Sequence, residues 1–552
     1  MRHGGQILVD QLVRLGARRA FCVPGESFLA VLDAFHDAPV ELITARHEGG
    51  AAMMAEAHAK LTGGPGLCFV TRGPGAANAA AGLHVARQDS TPMILFVGQV
   101  PRGHKDREAF QEVDYRAAFG GLCKWAAEVG ETERLPEYIA RAWHVAVSGR
   151  PGPVLLALPE DVLSARAEVR DLDHAPIELA PTFETVAQDA LGWLAGAERP
   201  LVVAGGPHWS EEAAADLGRF ASAQGLPVAL SFRRQDYLDN RHPGYVGDLS
   251  VGGNPKLFAR LGEADRVMLL GTRLGENASK GYTALRPEGP GPSILHVHAS
   301  PEEAGLVWRP DMSVTADAVS FIRALARQAP LGRDWSGWTG ALRADYEAWV
   351  TPKPTPGAVK MEEVVRWLAE NLPEEAIVTN GAGNYAAWLH RYYSYRRFRS
   401  QLAPTSGSMG YGLPAAIAAC LEYPGRPVVC MAGDGCLQMT INELSTAAQY
   451  RAAPVIVVAN NGRYGTIRAH QERTYPGRQA GTALANPDFP ALAAAYGGVG
   501  VRVERTEDFP AAYEAAKAAG RLAIIELMLD AEALSPGQTL SEARAAGEAR
   551  GA

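Results

Sequence analysis

Short apolar runs alternate along the chain with alanine-rich stretches of helical period. The runs lie in RAFCVPG, GLCFVTRGPG, PMILFVGQ and GPVLLALP, then in RPLVVAGG, LPVALSF, DRVMLLG and SILHVHA, and last in AIVTNGAG, RPVVCMAGDG, PVIVVANNG and LAIIELML. Each is short, rich in branched residues and bounded by turn formers, which is the signature of a strand buried on both faces. Strands separated by helices need crossover connections, so the pattern predicts an α/β protein built of three parallel-sheet domains. The blocks span 1–165, 185–330 and 356–530, followed by a polar C-terminal tail over 531–552 that reads as mobile. A charged irregular stretch, SARAEVRDLDHAPIELAPTFE, separates the first two blocks, and TPKPTPG reads as a semi-rigid linker before the third.

Composition narrows the classes. Across 552 residues, 47% hydrophobic and 21% charged content excludes a disordered chain. A net charge of −8 supplies no broad cationic surface, so neither nucleic acid nor an anionic membrane is the expected partner. No apolar stretch approaches the roughly 20 residues of a membrane span. The N-terminal GGQILVDQLVRLGARRAF is interrupted by Asp10 and Arg14 and reads as a first folded helix, not a signal peptide. Six scattered cysteines without a C-x-x-C pair predict buried free thiols in a reducing, cytoplasmic setting.

Candidate chemistry concentrates in residues 427–466. The strand PVVCMA ends in Gly433, Asp434 and Gly435, a helix fits TINELSTAAQY, and the strand PVIVVA ends in Asn460, Asn461 and Gly462. A right-handed crossover brings both loops to one sheet edge, where open α/β sheets bind ligands. The glycines let backbone N–H groups approach a diphosphate. Asp434 and Asn461, 27 residues apart, are hard oxygen ligands suited to Mg²⁺, with the Arg463 carbonyl a third. Either loop alone reads as an ordinary turn; the pair at this spacing reads as a site.

With these residues the chain resembles the thiamine-diphosphate-dependent enzymes, whose signature is GDG followed some 25 to 30 residues later by NN. The resemblance implies pyrimidine-binding, central and diphosphate-binding domains, with thiamine diphosphate and Mg²⁺ held by Asp434, Asn461 and Arg463. It adds Gly433, Gly435, Cys436, Tyr464 and Gly465 as cofactor contacts, and Gly381, Ala382 and Asn384 in TNGAGNYAAW as a loop over the diphosphate. APTSGSMGYGLPAAIAA resembles the segment carrying the apolar residue beneath the cofactor, which by register is Met409; out of context Met409 reads as a core residue.

In the first block, RHE precedes an alanine-rich helix and TRGPGAAN, which resembles the pyrimidine side of the same family. A carboxylate at a helix start is favoured by the dipole alone; the resemblance makes Glu48 the residue that pairs with the pyrimidine ring nitrogen and activates the cofactor by acid–base chemistry. Gly73, Gly75 and Asn78 read equally as pyrimidine support or as a turn. The two halves lie in different blocks, and the resemblance implies a homodimer or homotetramer with active sites at the subunit interface.

The closest likeness is to the acetolactate synthase type. GQVPRGHKDREAFQEVDY resembles its substrate-channel segment, giving Phe110 and Gln111 as candidates. Three positions depart. Glu160 stands where that type carries lysine, His470 where it carries a tryptophan that helps select the second substrate, and Arg273 matches an arginine lining the flavin or substrate site but lacks the acidic residues that follow. Pyruvate decarboxylases use adjacent histidines, whereas His104 stands alone, and glyoxylate carboligase lacks the glutamate kept here. In the central block LVVAGGP and VMLLGTRLG fall short of a full G-x-G-x-x-G, which leaves FAD, ADP or no nucleotide there. The expected function is decarboxylation of a 2-oxo acid with transfer to a carbonyl acceptor. The alternatives are a flavin-coupled 2-oxo-acid oxidase, a simple decarboxylase, and, in another class, a non-catalytic cofactor-binding protein. Glu160, an anion in place of a cation, and His470, a smaller polar group in place of an apolar wall, predict poor use of a second 2-oxo acid and better use of an aldehyde.

Overall fold

The computed structural model describes residues 1–173, 183–285 and 291–551. They form two compact units, one of residues 1–173, 404–424 and 440–452, the other of 183–403, 425–439 and 453–551. The irregular stretch between the first two blocks falls partly on 174–182, outside the described residues.

The first unit is built on a parallel sheet of β1 (Arg19–Cys22), β2 (Glu41–Thr44), β3 (Gly66–Val70), β4 (Met93–Gln99), β5 (Trp125–Glu128) and β6 (Pro153–Pro159), in the order 2-1-3-4-6-5. Every residue of β3, β4 and β6 is buried, which is why these strands are apolar up to the terminal Gln99 of β4. Phe69 and Phe96 pair across β3 and β4 with stacked rings 4.5 Å apart. Helices α1 (Glu48–Thr62) and α2 (Gly73–Asp89) follow β2 and β3 and press together through small residues. A Cβ on Gly82 would lie 2.4 Å from that of Ala52, so the alanine and glycine content serves close approach of the two backbones.

The second unit holds two parallel sheets. The central one comprises β7 (Pro200–Ala204), β8 (Val228–Ser231), β9 (Tyr245–Leu249), β10 (Arg266–Leu270), β11 (Ser293–His298) and β12 (Met312–Thr315), in the order 9-8-7-10-11-12. The other comprises β13 (Ile377–Asn380), β14 (Gln401–Leu402), β15 (Val428–Gly433), β16 (Val455–Asn460), β17 (Val499–Val503) and β18 (Ala523–Met528), in the order 14-13-15-16-18-17. That order repeats the first sheet's. Within the first unit, the helix expected over TINELSTAAQY is instead a 3₁₀ turn, Ile441–Glu443, followed by Leu444–Gln449. The break turns Glu443 into the interior, where backbone N–H groups meet it.

Three helices of the second unit matter below: α3 (Tyr385–Tyr392), α4 (Gly465–Thr474) and α5 (Leu540–Gly551). The sequence reads the last residues as a mobile tail, yet they form a hairpin and α5, which is packed on α4. Ala469, Leu534, Leu540 and Ala543 make a small buried cluster there, and Arg544 pairs with the buried Glu472 at 2.8 Å. No described helix is long and apolar enough to cross a membrane.

Candidate active site

In the first unit, the candidates gather on loops leaving the carboxyl ends of the strands. Glu48 is the first residue of α1 and is nearly buried. Its Oε2 accepts a hydrogen bond from Asn78 Nδ2 at 2.9 Å, while a Cβ on Gly75 would stand 3.2 Å from Oε1. Oε1 accepts no hydrogen bond among the described residues, which leaves it an acceptor for a ligand donor or proton.

The start of α1 is held from outside by Glu443, a residue no sequence motif announces. Its fully buried carboxylate accepts the N–H groups of Arg46 at 3.2 Å and His47 at 3.0 Å, and the Thr446 hydroxyl at 2.6 Å. Burial pushes the Glu443 carboxyl up, and these donors partly offset it. A Cβ on Gly50 would lie 2.4 Å from Glu443 Oε1, so only glycine fits against the carboxylate.

Gln111 sits at a positive φ of 64°, and its carbonyl accepts from Gly73 N–H at 3.1 Å, strapping the loop to the first turn of α2. Phe110 leaves 70% of itself exposed, and its carbonyl accepts from Arg72 Nη1 at 3.2 Å. Arg72 also holds Glu160, whose carboxylate is ion-paired with it. Sequence reasoning missed this because the two residues follow different strands, β3 and β6. Met409 lies in this unit and is half-buried.

In the second unit the two motifs converge as their spacing predicts. Asp434 is 3% exposed. Its Oδ1 accepts from Gly435 N–H at 2.8 Å, and Oδ2 accepts from Gly462 N–H at 2.9 Å and Asn486 Nδ2 at 2.8 Å. All these donors are neutral, and no cationic side chain pairs with Asp434 among the described residues. A buried carboxylate without a countercharge is costly, so the site fits a bound cation. Asn460 turns away to Glu526, its Nδ2 donating at 2.7 Å. Asn461 and Asn384 instead converge on Gly465, where a Cβ would stand 3.2 and 3.9 Å from their Nδ2 atoms. The Arg463 carbonyl accepts no bond among the described residues. No group of three His, Cys, Asp or Glu gathers among the described residues, which leaves an Asp–Asn–carbonyl set as the hard-ligand candidate.

Two tyrosines explain the glycines. The Tyr464 ring would meet a Cβ on Gly435 at 2.6 Å, and the Tyr385 ring would meet one on Gly433 at 3.0 Å. The Tyr385 hydroxyl accepts from Gly381 N–H at 3.0 Å and touches Cys436 Sγ at 3.4 Å, fixing the turn through Ala382 before α3. Tyr385 and Asn486 are further residues the sequence did not single out.

Two candidates remain. His470 is exposed on α4. Arg273 follows β10, in the central sheet. There a Cβ on Gly206 would lie 1.7 Å from the Gly271 carbonyl oxygen, and one on Gly205 would lie 1.8 Å from Ser231 Oγ. These glycines are taken up by packing within the protein and carry no argument for a flavin.

Three family models match the chain: "Thiamine pyrophosphate enzyme, N-terminal TPP binding domain" over residues 2–118, the central domain over 187–325, and the C-terminal TPP binding domain over 381–527. The chain is 31% identical over 516 residues to the acetolactate synthase isozyme 2 large subunit of Escherichia coli, covering 93% of each. It is 31% identical over 525 residues to an acetolactate synthase of Mycobacterium bovis, covering 92% of this chain and 84% of that one. To the acetolactate synthase large subunit of Lactococcus lactis it is 30% identical over 505 residues, 90% and 87% of the two chains.

Proposed function

The chain belongs to the thiamine pyrophosphate enzyme family, and on that premise we propose that it is a Mg²⁺-dependent carboligase or lyase acting on 2-oxo acids, in the manner of the acetolactate synthases it resembles. The observation that carries the proposal is the Asp434 carboxylate, buried at 3% exposure with neutral donors only. Asp434, Asn461 and the Arg463 carbonyl would hold Mg²⁺. Gly381, Ala382, Asn384, Gly433, Gly435, Cys436, Tyr464 and Gly465 would form the diphosphate cradle. Bound thiamine diphosphate supplies the electron sink for the carbon left after decarboxylation.

Glu48 would place its unpaired Oε1 against the pyrimidine ring nitrogen and hold a proton there, with Asn78 fixing its other oxygen. Gly73 and Asn78 would support the pyrimidine, and Met409 would set the cofactor's bend. Phe110, Gln111 and His470 would face the substrates, and Arg273 would stand near the substrate side. The chain is proposed to act in the cytoplasm as a homodimer or homotetramer with active sites at subunit interfaces.

The test is product analysis with pyruvate, alone and with 2-oxobutyrate, in the presence of thiamine diphosphate and Mg²⁺. Carbon dioxide release with a new C–C bond is the expected result, slowed roughly 10²- to 10⁴-fold in Glu48→Gln. Absence of release from every 2-oxo acid tried would overturn the assignment.

A further inference from the structure

Arg72 caps α2 at the carboxyl end of β3, within one turn of Gly75 and two turns of Asn78, the two residues against the Glu48 carboxylate. Its side chain is 8% exposed, and its Nε is buried without a partner. Nη1 donates to the Phe110 carbonyl at 3.2 Å. Nη2 meets two carboxylates, Glu160 at 2.5 Å and Glu26 at 3.3 Å. The adjacent Asp161 is neutralised by Arg102 at 2.7 Å. One guanidinium therefore serves two carboxylates, and the cluster carries a net charge of about −1 at neutral pH.

Exposure is graded in the same sense. The arginine is enclosed, Glu160 is 34% exposed and Glu26 is 69% exposed. A molecule approaching this edge of the sheet meets carboxylate oxygens before it meets the cation. An anion is repelled there, and a neutral carbonyl compound is not.

We propose that the Glu26–Arg72–Glu160 cluster makes this site selective for an uncharged acceptor, an aldehyde, over a second 2-oxo acid. The inference rests on the 2-oxo-acid chemistry proposed above. In that chemistry the donor's C1–C2 bond breaks, CO₂ leaves, and the electron pair stays on C2. C2 then bonds to the acceptor's carbonyl carbon, whose oxygen takes a proton, while the donor carbonyl is restored by loss of its own hydroxyl proton. No oxidant is required. The donor sheds its charge as CO₂, whereas a 2-oxo-acid acceptor keeps its carboxylate into the product. The repulsion therefore acts on the acceptor through the whole of C–C bond formation.

The experiment offers the loaded protein ¹³C-labelled pyruvate as donor with equal concentrations of propanal and 2-oxobutyrate, which differ as acceptors by one carboxylate. NMR reads the ratio of the two products. At low ionic strength the aldehyde product should exceed the acid product at least tenfold, and added salt should lower that ratio by screening. The double variant Glu26→Gln with Glu160→Gln changes the cluster from −1 to +1 and should lower the ratio at least tenfold. Because both acceptors compete for the same loaded enzyme, the ratio is independent of any loss in the earlier steps. The salt titration of the parent protein stands alone if the variant does not fold. A ratio near one, or an aldehyde preference indifferent to salt and to the variant, would overturn the cluster's role. CO₂ release accompanied by efficient acid-acceptor product would overturn this inference alone; absence of CO₂ release would overturn it together with the proposed function.

Discussion

A carboxylate surrounded by neutral donors is a poor resident of a protein interior, and that is the position of Asp434. Its oxygens are pre-oriented by three N–H groups, which is how a ligand is aimed at a metal. Asp434→Ala should therefore weaken joint binding of Mg²⁺ and thiamine diphosphate by roughly a hundredfold or more. Calorimetry of the folded apoprotein is the check, and unchanged affinity would remove Asp434 from the metal site. At this scale the sequence was legible in the meeting of the two loops, since the spacing of GDG and NN places both at one sheet edge, where Asp434 accepts the Gly462 N–H. It was not legible for Asn486, which lies 52 residues beyond Asp434 in a loop without pattern and bonds both Asp434 and Asn460. Nor could it show that Glu160 has a cation, because Arg72 reaches it from another strand.

Among elements, legibility followed burial. Every interior strand of the three sheets holds a short, mostly apolar run and was read as a strand, as in β4 and β6, buried at every position. Most of the edge strands hid. β5, β12 and β17 have mixed or exposed positions, and β14 is two residues long. Half-buried edges lack the continuous signal, and charges on them are an ordinary guard against edge pairing. The start of α1 was located correctly, but what holds it was not, because Glu443 belongs to a distant segment. That contact gives a prediction. Gly50→Ala places a Cβ 2.4 Å from Glu443 Oε1, whereas Gly64→Ala meets nothing within 4 Å. Gly50→Ala should cost about 1–3 kcal/mol by overpacking and should slow proton exchange at the cofactor's reactive carbon by displacing Glu48. Denaturant midpoints and NMR exchange would compare the two variants, and equal behaviour would sink the argument.

At the scale of the whole molecule, the first and third sheets share one strand order although the sequence shows no repeat, because strand order is kept by burial and crossover handedness and not by residue identity. The joining of the central and third sheets into one unit was also invisible, since it depends on a polar seam. Asn240 exchanges hydrogen bonds with the backbone of Tyr395, Gln235 donates to the His390 carbonyl, and Asp236 Oδ2 accepts the N–H groups of Ser400 at 3.1 Å and Gln401 at 3.2 Å. Burial pushes the Asp236 carboxyl up to about 6 from an ordinary 3.8, against the opposing effect of those N–H groups. The sign follows from linkage. Between these values the folded protein binds a proton that the unfolded chain has released, so stability falls as pH rises through this window and is lower above it. The shift corresponds to about 3 kcal/mol. Asp236→Asn keeps an acceptor oxygen but cannot ionise, so its stability relative to the parent should grow by roughly that amount between pH 4 and pH 7. Chemical denaturation at the two pH values, following the same transition in both proteins, measures it. Parallel pH profiles would mean that the Asp236 charge is compensated in the folded state and that the seam carries no pH dependence of its own.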